Sequence, residues 1–316
     1  MTDTDNIRAE RAQALNQAEL LIEALPWIKE ATGKTVVIKY GGAAMTDERL
    51  RADVMSDIVL MKIIGLNPII VHGGGNDITA YCNKLGYPVE FKDGLRVSPP
   101  EVMDIVKMTL IGKVNQELVS QMNAHGHIAV GLNGTDGCIV QAERYRDDMG
   151  LVGSVTNIDT TLLVDLIAND YIPIIASIAI GEDGQAYNVN ADLVAGEISA
   201  AIGAHKVMFL TDVNGLYRDF DDKTSLISRL TVSQVRKLLD SPATSKGMLP
   251  KLKACVKAVD AGVARAHILN GTIPHSMLLE MFTNHGVGTM VYPDDAQDVP
   301  DDFEAYPLDN LASKLQ

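Results

Sequence analysis

Two glycine-rich segments come directly after apolar, β-branched runs, and both have the composition of a phosphate-binding loop. They are residues 39–42 (Lys-Tyr-Gly-Gly) and residues 72–76 (His-Gly-Gly-Gly-Asn). Glycine lets a backbone approach a ligand closely, and a helix that begins just beyond presents free N–H groups to an anion. A tight strand-to-helix turn accounts for either segment alone. Because open α/β sheets bind ligands at the carboxyl ends of their strands, two such loops together predict an anion site.

Two lysines stand where cations could serve a transferring phosphoryl group. Such a reaction needs charge neutralisation and a fixed geometry, and it needs little covalent chemistry from the protein. Lys39 ends the first apolar run, and Lys251 opens a helical segment after a flexible stretch. For a lysine on a loop, the competing interpretation is an ordinary solvated charge. Residues 188–192 (Asn-Val-Asn-Ala-Asp) lie at a strand-to-helix junction, where helix capping competes with ligand binding for Asn190 and Asp192.

The familiar nucleotide fingerprints are absent from the sequence. There is no Gly-x-Gly-x-x-Gly, so a dinucleotide-binding fold lacks its main support. Residues 33–35 (Gly-Lys-Thr) resemble the end of a P-loop, but they precede a strand and the earlier glycine position is Ile28. A nucleoside triphosphate would therefore be bound by another architecture.

The elements that must position these residues alternate along the chain from residue 34 onward. Short β-branched runs at 35–39 and 68–72 flank a helical pattern that stops near Gly65, which makes one βαβ unit. A long helix is predicted from Pro100 to about Asn123 because proline is tolerated in the first turn. Further strands are expected near 129–132, 138–141, 172–178, 207–210, 267–269 and 289–292, and further helices near 191–202, 232–239, 252–264 and 276–283. The pattern predicts an α/β fold, a three-layer αβα sandwich around a mainly parallel central sheet.

A hairpin signal at residues 181–184 suggests a division into two lobes, residues 34–183 and residues 184–292. Residues 293–316 form an acidic tail of undetermined role, and residues 1–33 form an N-terminal amphipathic helix. Its apolar stripe is Leu15, Ala18, Ile22 and Leu25. Pro26 is expected to kink or break this helix and to leave Trp27 and Ile28 in a second segment. The stripe can pack on its own domain or on a second subunit, and nothing local separates the two.

The composition excludes several classes of protein. The chain has 316 residues, 47% of them hydrophobic, and a formal net charge of −14, which argues against nucleic acid as a partner. No apolar run reaches the length of a membrane-spanning helix. Three widely spaced cysteines and an acidic N-terminus indicate neither a disulfide framework nor a signal peptide. We therefore expect a cytoplasmic protein that acts without nucleic acid or a membrane.

Six motifs in order along residues 34–291 resemble the pattern of the amino acid kinase family, in particular the branch that phosphorylates N-acetyl-L-glutamate. They are Lys39-Tyr-Gly-Gly42, His72-Gly-Gly-Gly75, Gly94-Leu-Arg-Val97, Asn188-Val-Asn-Ala-Asp192, Thr211-Asp-Val-x-Gly215 and Gly247-Met-x-x-Lys251. Each motif alone is weak, but six in this order over most of the chain are specific. The resemblance implies the amino acid kinase fold and transfer of the γ-phosphoryl group of ATP to the side-chain carboxylate of N-acetyl-L-glutamate, the second step of arginine biosynthesis. A glutamate carboxylate of pKa about 4.3 is already ionised at neutral pH, so the reaction needs no general base.

The resemblance also implies a role for each matching residue. Lys39 and Lys251 would be catalytic cations on either side of the phosphates, and Asp192 would orient both. Substrate-binding residues would be Gly74, Gly75, Arg96 and Asn188, with Arg96 on the α-carboxylate. Nucleotide-binding residues would be Gly41, Gly42, Thr211, Asp212, Gly215, Tyr217, Lys246, Gly247 and Met248. No protein ligand to a metal is expected, and Mg²⁺ would arrive with ATP.

The N-terminal helix implies the arginine-inhibited, hexameric branch of the family, assembled as a trimer of dimers. There the inhibitor L-arginine would lie beside that helix in the second lobe. Matching positions are Lys206, His267, Glu280 and Gly286, and a glutamate suits a guanidinium. Two alternatives remain open: another member of the family such as a uridylate kinase, which also suits residues 73–76, and a non-catalytic sensor of arginine or acetylglutamate.

Overall fold

The computed structural model describes residues 22–45, 47–219, 222, 224–240, 247–283 and 286–296. The first part of the N-terminal helix, Lys246 and residues 297–316 of the acidic tail lie outside the described residues. Among the described helices, none is both long and apolar enough to cross a bilayer.

Sixteen strands and ten helices make up the described chain. The strands are β1 (Thr35–Tyr40), β2 (Asn67–His72), β3 (Phe91–Lys92), β4 (Leu95–Arg96), β5 (Ala129–Asn133), β6 (Val140–Arg144), β7 (Gly153–Ile158), β8 (Ile172–Ala176), β9 (Ile178–Ile180), β10 (Ala186–Asn188), β11 (Lys206–Thr211), β12 (Leu216–Tyr217), β13 (Leu226–Ile227), β14 (Arg229–Thr231), β15 (Arg265–Asn270) and β16 (Thr289–Tyr292). The helices are α1 (described over 22–31), α2 (Glu48–Ile63), α3 (Gly75–Leu85), α4 (Pro100–Lys107), α5 (Gln116–Asn123), α6 (Thr161–Ala168), α7 (Ala191–Ala201), α8 (Val232–Leu239), α9 (Leu249–Asp260) and α10 (Ser276–Phe282). A π-helical segment, Met108–Asn115, joins α4 to α5.

The central sheet has eight strands in the order β14-β16-β15-β11-β1-β2-β8-β5. All neighbouring pairs are parallel except β15 with β16. Alternate residues of the buried strands face two separate apolar clusters: Val37 and Val207 belong to one, and Val36 and Met208 to the other. Helices α3, α4, α7, α8 and α9 contribute to the first cluster, and α2, α5 and α10 contribute to the second. This confirms the three-layer αβα sandwich.

Two expectations about elements are wrong in part. The N-terminal helix does not break at Pro26 into a second segment, because residues 22–31 form one continuous helix through it, and the kink expected there stays a prediction. The strand expected at 138–141 begins only at Val140, since Gly137 and Cys138 have φ values of 55° and 56°, which a strand does not tolerate. The hairpin at 181–184 is present and pairs Ile180 with Ala186. The assignment of lobes stays a prediction, and the central sheet is continuous through it because β1 pairs with β11.

An ion pair links α2 to the N-terminus of α10. Nδ1 of His275 lies 2.6 Å from Oδ1 of Asp57, and Asp57 is only 2% exposed. Burial raises the pKa of Asp57 to about 6, although the hydrogen bond from His275 opposes it. That hydrogen bond, more than any other contact, raises the pKa of His275. Both groups therefore bind protons more tightly in the folded chain than in the unfolded chain.

We expect the free energy of unfolding to fall as the pH rises through about 6. Below the unfolded pKa of a carboxyl group both states hold the proton, and above it the folded chain keeps a proton that the unfolded chain releases. The stabilisation that the protonated Asp57 carboxyl contributes is therefore lost as the pH rises from the unfolded pKa to the raised folded pKa. Urea unfolding of the wild type and Asp57→Asn between about pH 4 and pH 8 measures the effect. A pH slope that is the same in both proteins would contradict this role of Asp57.

Candidate active site

The carboxyl ends of four neighbouring strands meet at one edge of the central sheet. In register, Lys39 of β1 pairs with Val71 of β2 and with Phe209 of β11. The next residue of β2, His72, pairs with Ala176 of β8. The glycine loops after β1 and β2 therefore lie side by side, as the sequence predicts, and a cavity of about 200 Å³ opens between them.

Lys39 and Lys251 converge on one buried carboxylate. Nζ of Lys39 lies 3.2 Å from Oδ1 of Asp192, and Nζ of Lys251 lies 3.0 Å from Oδ2. Burial alone would raise the pKa of Asp192, but the two ammonium groups hold it below its usual value, so the carboxylate is ionised. Asp192 is 4% exposed, whereas the lysine side chains keep 12% and 14% of their surface open. One anion thus holds two cations beside the cavity.

Local structure places Asp192 with precision. Asn190 is the N-cap of α7, and its Oδ1 accepts hydrogen bonds from the backbone N–H groups of Asp192 and Leu193 at 2.9 and 3.2 Å. The competing capping role is therefore confirmed for Asn190. Asp192 does not cap the helix, because both of its carboxylate oxygens face lysines.

Close packing of α7 against α9 brings Lys251 to Asp192. A Cβ on Gly196 would lie 3.0 Å from the Cβ of Ala254, so the glycine allows these helices to approach closely. Asp192 is four residues before Gly196 and Lys251 is three residues before Ala254, which puts each about one turn from the contact.

Arg96 reaches the cavity from the hairpin of β3 and β4. Its Nη2 donates to the carbonyl oxygen of Gly75 at 2.8 Å and to Oγ1 of Thr79 at 2.7 Å. The guanidinium lies 4.7 Å from the centre of the Phe91 ring and is buried, and burial lowers the pKa of Arg96. Its Nη1 is buried without a hydrogen-bond partner in the described structure. A buried, unpaired donor at a cavity wall is suited to a ligand carboxylate.

The predicted substrate residues line one cavity. Gly74 is the N-cap of α3, and Gly75 is its first residue. Asn188 donates through Nδ2 to Oγ of Ser98 at 3.0 Å, and Ser98 Oγ donates to the carbonyl oxygen of Arg96. The lining includes the predicted residues Lys39, Gly41, Gly42, Gly74, Gly75, Arg96, Asn188 and Asp192. Phe91 and Ser98 were not predicted, since neither an exposed aromatic residue nor a lone serine gives a sequence signal.

The nucleotide-binding residues predicted in residues 184–292 lie at the end of β11, in β12 and just before α9. Thr211 is the last residue of β11, buried, and its Oγ1 donates to Oδ1 of Asp212 at 3.2 Å. A Cβ on Gly215, whose φ is 144°, would lie 2.4 Å from Oγ1 of Thr289, so only glycine fits there. Tyr217 is buried in β12, and Gly247 and Met248 come just before α9. None of these described residues lines the cavity described above, whereas Gly41 and Gly42, the predicted nucleotide residues of the first loop, do.

A second cavity, of about 330 Å³, brings together all four residues predicted for an inhibitor. Lys206, His267, Glu280 and Gly286 line it, together with Trp27, Ser228, Arg229, Arg265, Met281, Thr283, Gly288 and Met290. Nδ1 of His267 lies 2.7 Å from Oε1 of Glu280, and burial lowers the pKa of Lys206 to about 8. Nε2 of His267 is buried without a described partner. The contribution of Trp27 from α1 was not predicted by residue.

The described residues contain no cluster of three or more His, Cys, Asp or Glu side chains that could hold a metal ion. In the first cavity, Asp192 has both oxygens occupied by lysines. The donor set of this site therefore suits an anionic ligand, and a divalent cation would enter it together with such a ligand.

Comparisons with known proteins confirm the family resemblance that the six motifs indicate. A family model described as the amino acid kinase family matches residues 34–270. Acetylglutamate kinase of Caldanaerobacter subterraneus subsp. tengcongensis is 50% identical over 277 residues, which cover 87% of this chain and 93% of that protein. Acetylglutamate kinase of a Nostoc species is 46% identical over 292 residues, which cover 92% of this chain and 97% of that protein.

One solved structure extends the likeness of the fold. The structure of N-acetylglutamate synthase from Neisseria gonorrhoeae complexed with coenzyme A and N-acetyl-glutamate is 22% identical in sequence and has a TM-score of 0.78. The match covers 88% of this chain and 64% of that chain, so this chain spans less than two thirds of its length.

Proposed function

The chain belongs to the amino acid kinase family, and on that premise we propose that it transfers the γ-phosphoryl group of ATP to the side-chain carboxylate of N-acetyl-L-glutamate. The product is N-acetyl-L-glutamyl 5-phosphate. The observation that carries the proposal is the convergence of Lys39 and Lys251 on Asp192 beside two glycine loops.

The chemistry follows from the charges. An oxygen of the ionised carboxylate attacks the γ-phosphorus in line, the bond to the bridging oxygen breaks, and ADP leaves with that electron pair. Lys39 and Lys251 neutralise the migrating group, and Asp192 fixes the distance between them without taking a proton. The backbone N–H groups at Gly74 and Gly75 add donors at the N-terminus of α3.

Substrate recognition rests on Arg96. We assign its unpaired Nη1 to the α-carboxylate of acetylglutamate, and Asn188 to the amide part of the substrate.

The adenine nucleotide occupies the end of β11 and the start of α9. It contacts Gly41, Gly42, Thr211, Asp212, Gly215, Tyr217, Gly247 and Met248, and Lys246 lies outside the described residues. Mg²⁺ bound to the ATP phosphates would supply further charge neutralisation there.

A coupled assay for ADP release tests the proposal. Turnover is expected with ATP and N-acetyl-L-glutamate, and release should need both. Phosphorylation of UMP alone would assign the chain to the uridylate kinase alternative. Binding of acetylglutamate without turnover of ATP would support a non-catalytic sensor, an alternative that the retained pair of lysines disfavours.

We further propose that the second cavity binds L-arginine as a feedback inhibitor. Glu280 offers a carboxylate that can accept hydrogen bonds from the guanidinium of arginine. The unpaired Nε2 of His267 offers a hydrogen-bonding atom for the α-amino and α-carboxylate end of the ligand. Hydrogen bonds from His267 and from the backbone N–H of Val287 outweigh burial and keep the pKa of Glu280 below its usual value, so an anion faces the cavity. Trp27 closes one side, which couples the site to α1.

Replacing Glu280 with glutamine is expected to raise the arginine concentration that gives half inhibition by about 10-fold or more, because a charge-assisted pair with the guanidinium is lost. Each rate is normalised to the same variant's rate without arginine. Glu182→Gln, on the exposed hairpin between β9 and β10, serves as the matched control. Equal inhibition curves for wild type and Glu280→Gln would remove arginine from this cavity.

We propose that α1 joins subunits into a hexamer, as a trimer of dimers. Ile22 and Leu25 of its apolar stripe are 68% and 55% exposed, which supports docking on a second subunit over packing on the same chain. Deleting residues 1–28 is expected to reduce the assembly to dimers and to weaken arginine inhibition while turnover persists. Light scattering with an inhibition curve measures both, and an intact hexamer after deletion would contradict the proposal.

A further inference from the structure

His72, the last residue of β2, has a fully buried side chain to which the proposed reaction gives no role. Its Nδ1 lies 2.9 Å from the carbonyl oxygen of Gly73, and its Nε2 lies 3.0 Å from Nδ2 of Asn115. Asn115 is the last residue of the π-helical segment. The same Nδ2 atom also lies 3.1 Å from the carbonyl oxygen of Leu132 and 2.9 Å from that of Ile174, so its two N–H groups are shared among three acceptors.

These contacts define the tautomer of the ring. The carbonyl oxygens of Leu132 and Ile174 can only accept, so the Asn115 atom between them is its amide nitrogen. That nitrogen only donates, and Nε2 of His72 must therefore accept. The ring proton is then on Nδ1 and is donated to the carbonyl oxygen of Gly73. Burial lowers the pKa of His72 to about 4, which keeps the ring neutral at physiological pH.

The position of the Gly73 carbonyl determines where the next N–H group points. In a trans peptide the C=O and N–H groups point in opposite directions. Since the Gly73 carbonyl is turned back towards the buried ring, the N–H of Gly74 is turned away from it. Gly74 lines the cavity that contains Lys39 and Asp192, and its N–H makes no hydrogen bond within the described part of the chain.

We propose that His72, fixed in one tautomer by Asn115, is a positioning residue that aims the N–H of Gly74 at an oxygen of the migrating phosphoryl group or of the accepting carboxylate. This deepens the proposed function and rests on it, because the oxygen concerned belongs to the proposed reaction. The strand carbonyls, Asn115, His72 and the Gly73–Gly74 peptide form one chain of hydrogen bonds. A donor held in place before the reaction requires no reorganisation when charge develops.

Two matched substitutions separate this role from a purely structural one. An asparagine can place its amide nitrogen at the position of Nδ1, whereas a glutamine can place its side-chain carbonyl oxygen at the position of Nε2. His72→Asn therefore keeps the donor to Gly73 and loses the contact with Asn115, and His72→Gln keeps an acceptor for Asn115 and loses the donor to Gly73. Each variant loses one buried hydrogen bond, so similar reductions in Tm are expected.

We expect kcat of His72→Asn to stay within about 3-fold of wild type and kcat of His72→Gln to fall on the order of 10- to 100-fold. This is less than the roughly 10²- to 10³-fold for removal of a donor, because the N–H of Gly74 remains and only its orientation is released. The KM for ATP should change less than kcat. Equal losses of kcat in both variants, or a more active glutamine variant, would overturn the proposal. Wild-type enzyme in the same assay tests the proposed function separately, because failure of the wild type to phosphorylate acetylglutamate would refute that function alone.

A second measurement needs neither turnover nor a variant. In ¹⁵N NMR spectra of wild-type protein with labelled histidine, the His72 ring should show the Nδ1–H tautomer and no titration between pH 5 and pH 8. An Nε2–H tautomer, or titration near the usual pKa of histidine, would contradict the proposed orientation of the peptide.

Discussion

Lys39→Ala is expected to lower kcat by about 10²- to 10³-fold while changing the KM for either substrate much less. The ammonium group matters most when negative charge is redistributed over the migrating phosphoryl group, so its loss acts mainly on the transition state. The buried carboxylate of Asp192 also loses one of its two cations, which should raise its pKa. Steady-state kinetics with each substrate varied in turn measures the effect.

Lys62→Ala is the matched control for this experiment. Its side chain is 12% exposed, as that of Lys39 is, and its Nζ lies 3.2 Å from a carboxylate oxygen of Asp170, as Nζ of Lys39 does from Asp192. Lys62 lies on α2 and does not line the cavity. Its kcat should match wild type. If Lys39→Ala raised KM by as large a factor as it lowered kcat, Lys39 would contribute ordinary ground-state binding, which would count against the catalytic role.

Arg96→Lys is expected to raise the KM for N-acetyl-L-glutamate by about 10- to 100-fold and to change kcat less. The guanidinium can hold Gly75 and Thr79 through Nη2 while Nη1 binds a carboxylate, whereas a single ammonium group cannot reach all three in the same geometry. Stacking on Phe91 is also lost. Initial rates at saturating ATP over a range of acetylglutamate concentrations provide the measurement.

Arg146→Lys gives the comparison for a stacked arginine that does not line the cavity, although its partner Asp93 lies in the turn between β3 and β4. Its guanidinium lies 5.6 Å from the centre of the Tyr145 ring and binds Asp93 and Asp148 at the surface. Neither kinetic constant should change in this variant. If the KM for acetylglutamate were unchanged in Arg96→Lys as well, Arg96 would have to be removed from the substrate site.

The sequence predicts the central strands and the glycine loops because their signals are local. β-branched runs such as those of β1 and β2 allow few other structures when glycine follows them. β7 and α6 escaped prediction, since Gly153–Ile158 contains polar residues without clear alternation and Thr161–Ala168 is apolar on most faces. The left-handed backbone at Cys138 likewise has no signal in the residue type.

The sequence likewise predicts the types of the site residues but not their distances from one another. The residue types of Lys39, Asp192 and Lys251 indicate charge chemistry, but the distances between them depend on how α7 packs on α9, a contact between residues far apart in sequence. The stacking of Phe91 on Arg96 and the entry of Trp27 into the second cavity are tertiary contacts of the same kind. Such tertiary contacts depend on how the whole core packs, and a short sequence motif cannot predict them.

The position of β1 in the sheet has a consequence for biosynthesis. β1 lies between β2, which follows it closely in the chain, and β11, which is made much later. During translation the side of β1 that will receive β11 therefore offers free N–H and C=O groups to any extended segment nearby. Closure of the sheet must wait for a pairing of high sequence separation, which is slow. The nascent chain is thus expected to be open to self-association through this edge, and to benefit from chaperone protection, in the interval before β11 emerges from the ribosome.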